Sequence, residues 1–152
     1  RRGAFQRFPG LLQYGLALLS ALRRFQPVPL SVEAEGRDPL VTPVLLAAAT
    51  VGPSIGGGFQ LSPRALGDDG LLDLFVAGPL TFGEVLRYLP GVVRGTLEST
   101  DRIHRATFGA ARFQATDGQP FRFELDGELM PHETPWLEMR IRPGVLQVLD
   151  HR

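Results

Sequence analysis

Ala106-Thr107-Phe108-Gly109-Ala110-Ala111-Arg112-Phe113-Gln114-Ala115-Thr116-Asp117-Gly118-Gln119-Pro120-Phe121-Arg122-Phe123-Glu124-Leu125-Asp126-Gly127-Glu128 decides the fold class. From Ala106 to Thr116 the residues alternate in polarity, and Asp117-Gly118 then reads as a hairpin turn. Beyond it Phe121, Phe123 and Leu125 alternate with Arg122, Glu124 and Asp126. A period of two is the mark of a strand that buries one face and wets the other. Successive strands of this kind joined by tight turns predict an antiparallel sheet.

The pattern extends outward in both directions. Downstream, Trp136–Ile141 and Val145–Leu149 form a last strand pair across Pro143-Gly144. Upstream, Val28, Leu30, Val32 and Ala34 mark a half-buried strand over 28–35, and Glu35-Gly36-Arg37-Asp38 is a turn. Leu40–Val51 is an almost continuous apolar run, which predicts one strand buried on both faces with Pro43 near its edge or start. Gly52-Pro53-Ser54-Ile55-Gly56-Gly57-Gly58 must be a loop. A short strand over Phe59–Leu61, a sharp turn at Asp68-Asp69-Gly70 and a strand over Leu71–Ala77 follow. Two segments have helical period instead. Leu11, Leu12, Leu16, Leu19 and Leu22 share a face within 10–25, stopped by Pro27 and Pro29. Thr81 and Glu84 form a capping box ahead of Val85, Leu86, Leu89, Val92 and Val93, with Pro90 expected to kink or split that helix. The sum is a mainly β (α+β) chain: an antiparallel β-sandwich with two flanking helices, in one domain over 1–152.

Composition narrows the chemistry. The formal net charge is zero, which offers no field for nucleic acid. All 16 positive residues are Arg, so a Walker-type Lys or a Schiff-base Lys cannot come from this chain. A phosphate clamp here must use Arg or backbone N–H groups. With no Cys, thiolate sites are excluded, and with only His104, His132 and His151, widely spaced, a His-rich zinc site is not expected. No apolar run reaches the length of about 18 residues that a spanning helix requires. The chain lacks an initiator Met, which points to a piece of something longer.

Three motifs can carry chemistry, and each has a plainer reading. Asp126 and Glu128 flank Gly127. In extended chain residues i and i+2 share a side, so two carboxylates can converge on one point, one as a base for a hydroxyl and one beside a metal. Asp-Gly is equally the commonest hairpin turn. Asp69, between Leu66 and Leu71, can give a carboxylate to a hard cation or can bond its own backbone in a turn. Gly56, Gly57 and Gly58 can present N–H groups to phosphate or form a tight bend before a strand. Asp68 and Asp73 read as solvated or turn-stabilising. His104 and His132 read as structural, and Arg102 and Arg105 as a solvated turn that can also touch lipid head groups.

Taken in order, Gly56-Gly57-Gly58-Phe59-Gln60-Leu61-Ser62-Pro63, Leu66-Gly67-Asp68-Asp69-Gly70-Leu71-Leu72-Asp73-Leu74 and Leu125-Asp126-Gly127-Glu128 resemble the C-terminal domain of the diacylglycerol kinase and sphingosine kinase-like superfamily. The opening helix, the 81–95 helix and the closing Arg142-Pro143-Gly144-Val145-Leu146-Gln147-Val148-Leu149 also look like that family. The resemblance implies a two-domain NAD kinase/diacylglycerol kinase-like enzyme that uses ATP and Mg²⁺ to phosphorylate a lipid hydroxyl. Its N-terminal nucleotide-binding domain, with a Gly-Gly-Asp-Gly-Thr-type loop, lies outside this chain, so the chain alone is expected to be inactive. The resemblance makes Asp126 the general base, supported by Glu128. It places a structural Mg²⁺ on the Asp69 carboxylate and the carbonyls of Leu66 and Leu71, and the Gly56–Gly58 loop along the cleft. The family usually has Asn five residues before the first of these glycines; Val51 stands there and removes a polar contact. The implied setting is cytoplasmic, with peripheral contact at the inner membrane face. The rival readings are a non-catalytic lipid-binding or regulatory sandwich and an NAD-kinase-like domain.

Overall fold

The computed structural model describes residues 26–145. Nine strands and one helix occur among them: β1 (Val28–Ala34), β2 (Leu40–Val44), β3 (Leu46–Thr50), β4 (Leu72–Ala77), α1 (Phe82–Arg94), β5 (Ile103–Phe108), β6 (Ala110–Ala115), β7 (Glu124–Leu125), β8 (Glu128–Leu129) and β9 (Trp136–Arg140). One sheet has the order β2-β1-β6-β9 and the other β3-β4-β5, with every pairing antiparallel. β7 and β8 pair only with each other. The expected sandwich is therefore present. The helix read over 10–25 and most of the strand read over Val145–Leu149 lie outside the described residues.

Two runs that read as single strands are each cut at a corner. Leu40–Val51 breaks at Leu45, placing β2 at the edge of the first sheet and β3 at the edge of the second. The run is thus not one strand buried on both faces. Pro43 sits in edge strand β2, where its missing N–H is tolerated. Ala106–Thr116 breaks at Gly109, so that β5 ends in the second sheet and β6 begins in the first. At this corner the Glu35 N–H donates to the Ala110 carbonyl at 3.1 Å, and the Ile141 N–H donates to the Gly109 carbonyl at 3.0 Å. Periodicity misses such corners because both halves of each run remain apolar inward. Phe59–Leu61 is also not a strand. Phe59 makes a single bridge to Ile55, and the Gln60 N–H donates to the Val92 carbonyl at the end of α1.

The strand buried on both faces is β4. Its Leu72, Leu74 and Val76 meet Leu30, Val32, Val44, Phe108, Ala111, Phe113 and Ala115 between the sheets. Its Phe75 and Ala77 point the other way and join Leu61 and Ile103 beneath Tyr88 and Val92 of α1. The domain is therefore three layers deep: sheet, sheet, then helix with the 55–61 segment.

The capping box is formed as read. The Thr81 N–H donates to the Glu84 carboxylate at 2.7 Å, and the Glu84 N–H donates to the Thr81 hydroxyl at 3.3 Å. Gly95 closes the far end in the left-handed conformation, at φ 68°. Pro90 does not split the helix, which runs unbroken from Phe82 to Arg94. Exposed on the outer side and held between two well-made caps, it removes one hydrogen bond without ending the element. No helix among the described residues is long and apolar enough to cross a membrane.

Two outcomes test this architecture. Phe108, only 2% exposed, bridges the inter-sheet core, so Phe108→Ala is expected to cost about 3–5 kcal/mol in denaturant unfolding. The Glu84 carboxyl is held below its ordinary range by the Thr81 backbone, then the Thr81 hydroxyl, then Arg102. Its contribution to stability is therefore present above the ordinary glutamate value and is lost as pH falls through the lowered one. Glu84→Gln should flatten the acid limb of a melting-temperature profile, and an unchanged limb would show that the box contributes nothing there.

Candidate functional site

The tripeptide Asp126-Gly127-Glu128 lies at the tip of a ribbon between β6 and β9. Phe121 bridges Thr134, the Met130 N–H donates to the Phe123 carbonyl, and Glu124 and Leu125 pair with Leu129 and Glu128. Asp126 (φ 50°) and Gly127 (φ 86°) fill the two-residue turn. Two positive φ values in succession make the primed hairpin turn that suits the strand twist. Asp126 is the sole non-glycine with positive φ among the described residues. The turn reading of Asp-Gly is thus correct as geometry, and the extended-chain argument is not: Asp126 is left-handed, so alternation does not put it on the same side as Glu128. Glu128 instead stands opposite Leu125. Both carboxylates are exposed, and neither has a hydrogen-bond or ion-pair partner among the described residues. The stem is well fastened. Arg122 pairs with Glu133 at 2.7 Å, and Phe123 meets His132 edge-on at 5.6 Å, which makes His132 structural.

The other two motifs sit on the opposite sheet, in the connection from β3 to β4. Gly56–Gly58 forms a 3-10 turn, with Gly57 and Gly58 at φ 75° and 81°. A Cβ at Gly56 or Gly58 would meet open space, so at Gly58 the backbone angle rather than crowding requires glycine. The Gly58 N–H is already used, on the Ile55 carbonyl at 3.2 Å. Further on, the Leu71 N–H donates to Asp69 Oδ1 at 2.9 Å. That is the Asp-capped turn, and it engages one carboxylate oxygen. Leu66, at the start of this turn, is exposed.

Asp73 is in a strand rather than a turn, and it is only partly exposed. It lies in β4 directly across from Thr50 of β3, and both Asp73 Oδ2 and Thr50 Oγ1 are buried without a partner among the described residues. Burial, and then the nearby Asp69 charge, pushes the Asp73 carboxyl up. A divalent cation on the Asp69 turn fits this neighbourhood: one carboxylate and the Leu66 and Leu71 carbonyls are the oxygen donors Mg²⁺ accepts, and Asp73 adds negative charge beside them. Such a site needs one carboxylate only, and no cluster of three or more metal-binding side chains occurs among the described residues. No hydrogen bond or ion pair among those residues joins this turn, or the glycine loop, to the Asp126 ribbon.

The solvated turn read for Arg102 and Arg105 holds for exposed Arg102, which sits in a bend, and not for Arg105. Arg102 precedes β5 and binds the Pro79 carbonyl at 3.0 Å and the Glu84 carboxylate at 3.3 Å. Arg105 lies within β5, on the face shared by Ile103, and is turned inward over Phe75. The only signal available was its place in the alternation Ile103-Arg105, which a charged residue disguises.

Comparison with known proteins places this geometry. Residues 2–150 match the family described as the YegS C-terminal NAD kinase beta sandwich-like domain. The chain is 32% identical over 94 residues to a diacylglycerol kinase of Mycobacterium tuberculosis (strain ATCC 25618 / H37Rv), covering 62% of this chain and 30% of that protein. It is 35% identical over 97 residues to a protein named "Probable lipid kinase YegS-like" from Pseudomonas syringae pv. syringae (strain B728a), covering 64% of this chain and 30% of the relative. The aligned part thus spans under a third of each relative's length. The crystal structure of a diacylglycerol kinase from Bacillus anthracis str. Sterne superposes with a TM-score of 0.58 at 17% identity, over 86% of this chain and 48% of that one, and at that identity it speaks for the fold alone. The chain belongs to the YegS C-terminal NAD kinase β-sandwich-like family and corresponds to the C-terminal part of diacylglycerol and lipid kinase-family proteins.

Proposed function

We propose that this chain is the lipid-side half of an ATP-dependent lipid kinase, with Asp126 as the base that takes the proton of the acceptor hydroxyl. The observation that carries this reading is the exposed, unpartnered Asp126 on a left-handed turn at the end of a fastened ribbon. A carboxylate held this way is pre-positioned and is not consumed by polar groups of the described residues. Phosphoryl transfer asks for a positioned hydroxyl, a proton acceptor and charge stabilisation along an in-line path. The lipid oxygen forms the new bond to the γ-phosphorus as its proton passes to Asp126, and ADP departs with the bridging oxygen. Glu128, one position beyond the turn, supports Asp126 or the nucleotide-bound Mg²⁺. Gly56, Gly57 and Gly58 line the same cleft, and the ATP is held mainly by an N-terminal kinase domain outside this chain. Alone, the chain therefore transfers no phosphate. The substrate is diacylglycerol or a related lipid alcohol, met from the cytoplasmic side at the membrane surface.

The test uses the full-length protein that contains this chain, with labelled ATP and diacylglycerol in mixed micelles. Asp126→Asn tolerates the left-handed turn, so it should keep the melting temperature while lowering turnover roughly 10²–10⁴-fold. Undiminished turnover in that variant would sink the assignment of Asp126. Absence of lipid phosphorylation by the parent would leave a non-catalytic lipid-binding module as the better reading.

A structural Mg²⁺ on Asp69, Leu66 and Leu71 supplies charge neutralisation and bracing rather than chemistry. Added Mg²⁺ should raise the melting temperature in a concentration-dependent way, and Asp69→Asn should abolish the rise. An identical Mg²⁺ response in the variant would remove the ion from this turn.

A further inference from the structure

Arg105 is a cation turned into the domain that makes no salt bridge among the described residues; Glu98, which pairs with Arg64, reaches it only as a favourable charge beyond ion-pair distance. Its guanidinium lies 5.3 Å from the centroid of the Phe75 ring. Nε donates to the Leu61 carbonyl at 3.0 Å, Nη1 donates to the Leu97 carbonyl, and Nη2 is buried with no partner among the described residues. Holding a charge this way is expensive, and an apolar residue would fill the same layer more cheaply. The arrangement makes sense as a fastener. Leu61 belongs to the segment that leaves the glycine loop, Leu97 follows the end of α1, and Arg105 itself stands in β5. One planar fork thus fixes three separate pieces of chain, which a lysine ammonium on a flexible stem cannot do with the same rigidity.

The neighbouring contacts show where the fastening stops. The Gln60 N–H is bonded to the Val92 carbonyl at 3.0 Å, and a Cβ on Gly95 would collide with the Gln60 side chain and touch Pro63. The Ser62 N–H donates to the Pro53 carbonyl at 3.2 Å, which closes the loop on itself. The tip has none of this packing at Gly56 or Gly58. The loop is therefore a tight stem carrying an open tip; the stem packs Leu61 against Phe75, Ala77 and Ile103 of the sheet, and the side-chain hydrogen bond that ties it there among the described residues is that of Arg105.

We propose that Arg105 is a positioning residue for the Gly56–Gly58 loop and sets where that wall of the cleft stands. The link to turnover rests on the kinase reading above; the link to the loop does not. The experiment therefore has two arms on the full-length protein. In hydrogen exchange, Arg105→Gln should speed the amides of 55–61 by about tenfold or more while the β4 amides of 72–77 stay as slow as in the parent. In kinetics, KM for ATP should rise about threefold or more with kcat within about twofold, because a misplaced wall weakens binding and leaves the base in place. Parent-like exchange at 55–61 overturns the proposal, and so does a uniform acceleration across both segments, which marks general loosening. If Arg105→Gln does not fold, Arg105→Lys keeps the stem over Phe75 and one hydrogen bond; it should show the same local acceleration, and parent-like exchange in it overturns the proposal equally. Local acceleration in a protein that phosphorylates no lipid upholds Arg105 as the loop's anchor and removes the kinase reading alone.

Discussion

Everything in this domain depends on burying both faces of β4. A strand with water on one side needs apolar residues only at every second position. Here Leu72, Leu74 and Val76 fill the space between the sheets while Phe75 and Ala77 fill the space under α1. Removing either cover would expose a large apolar surface, so helix and first sheet are both obligatory. The same constraint explains the polar outlier: Asp73 occupies the end of the helix-side face, where the cover passes to the 62–71 segment, and its carboxylate is half-enclosed with Thr50 across from it.

Much of this was legible in the sequence. The capping box, the Asp-Gly turn, the tight turn at Asp69 and most strands follow from local chemistry that tertiary contacts do not override. The failures share a cause. Leu40–Val51 and Ala106–Thr116 keep their inward apolar residues through a change of sheet, and a one-dimensional period carries no trace of which sheet a residue enters. Arg105 was misjudged because a charge is assigned to solvent unless its partners are known, and its partners are the carbonyls of Leu61 and Leu97, which any sequence would supply. The Asp126 motif was read correctly as a turn and incorrectly as extended chain; those two readings exclude each other, and the φ of 50° decides between them. The roles of Asp126, Glu128, Asp69 and the glycines rest on the resemblance.

The candidate site is divided between the two sheets. The Asp126 ribbon springs from the first, while the glycine loop and the Asp69 turn ride on the second. A rigid relation between them is therefore a property of the sandwich core rather than of any direct contact. This gives core residues such as Phe108 and Val76 an influence on how the ribbon and the remote loops are held relative to one another.

The pairing of β1 with β6 has a consequence for how the chain reaches this state. Leu30 lies opposite Ala115, so the first sheet cannot be completed until nearly all of the intervening chain, including the whole second sheet and α1, has been made. Until then β1 has only β2 beside it, and a two-stranded ribbon is marginal in water. Closing so long a loop is slow compared with forming the local β3–β4 and β4–β5 pairs. On the ribosome, the second sheet and its helix are thus the natural nucleus, and β1 waits with an open edge until β6 is made.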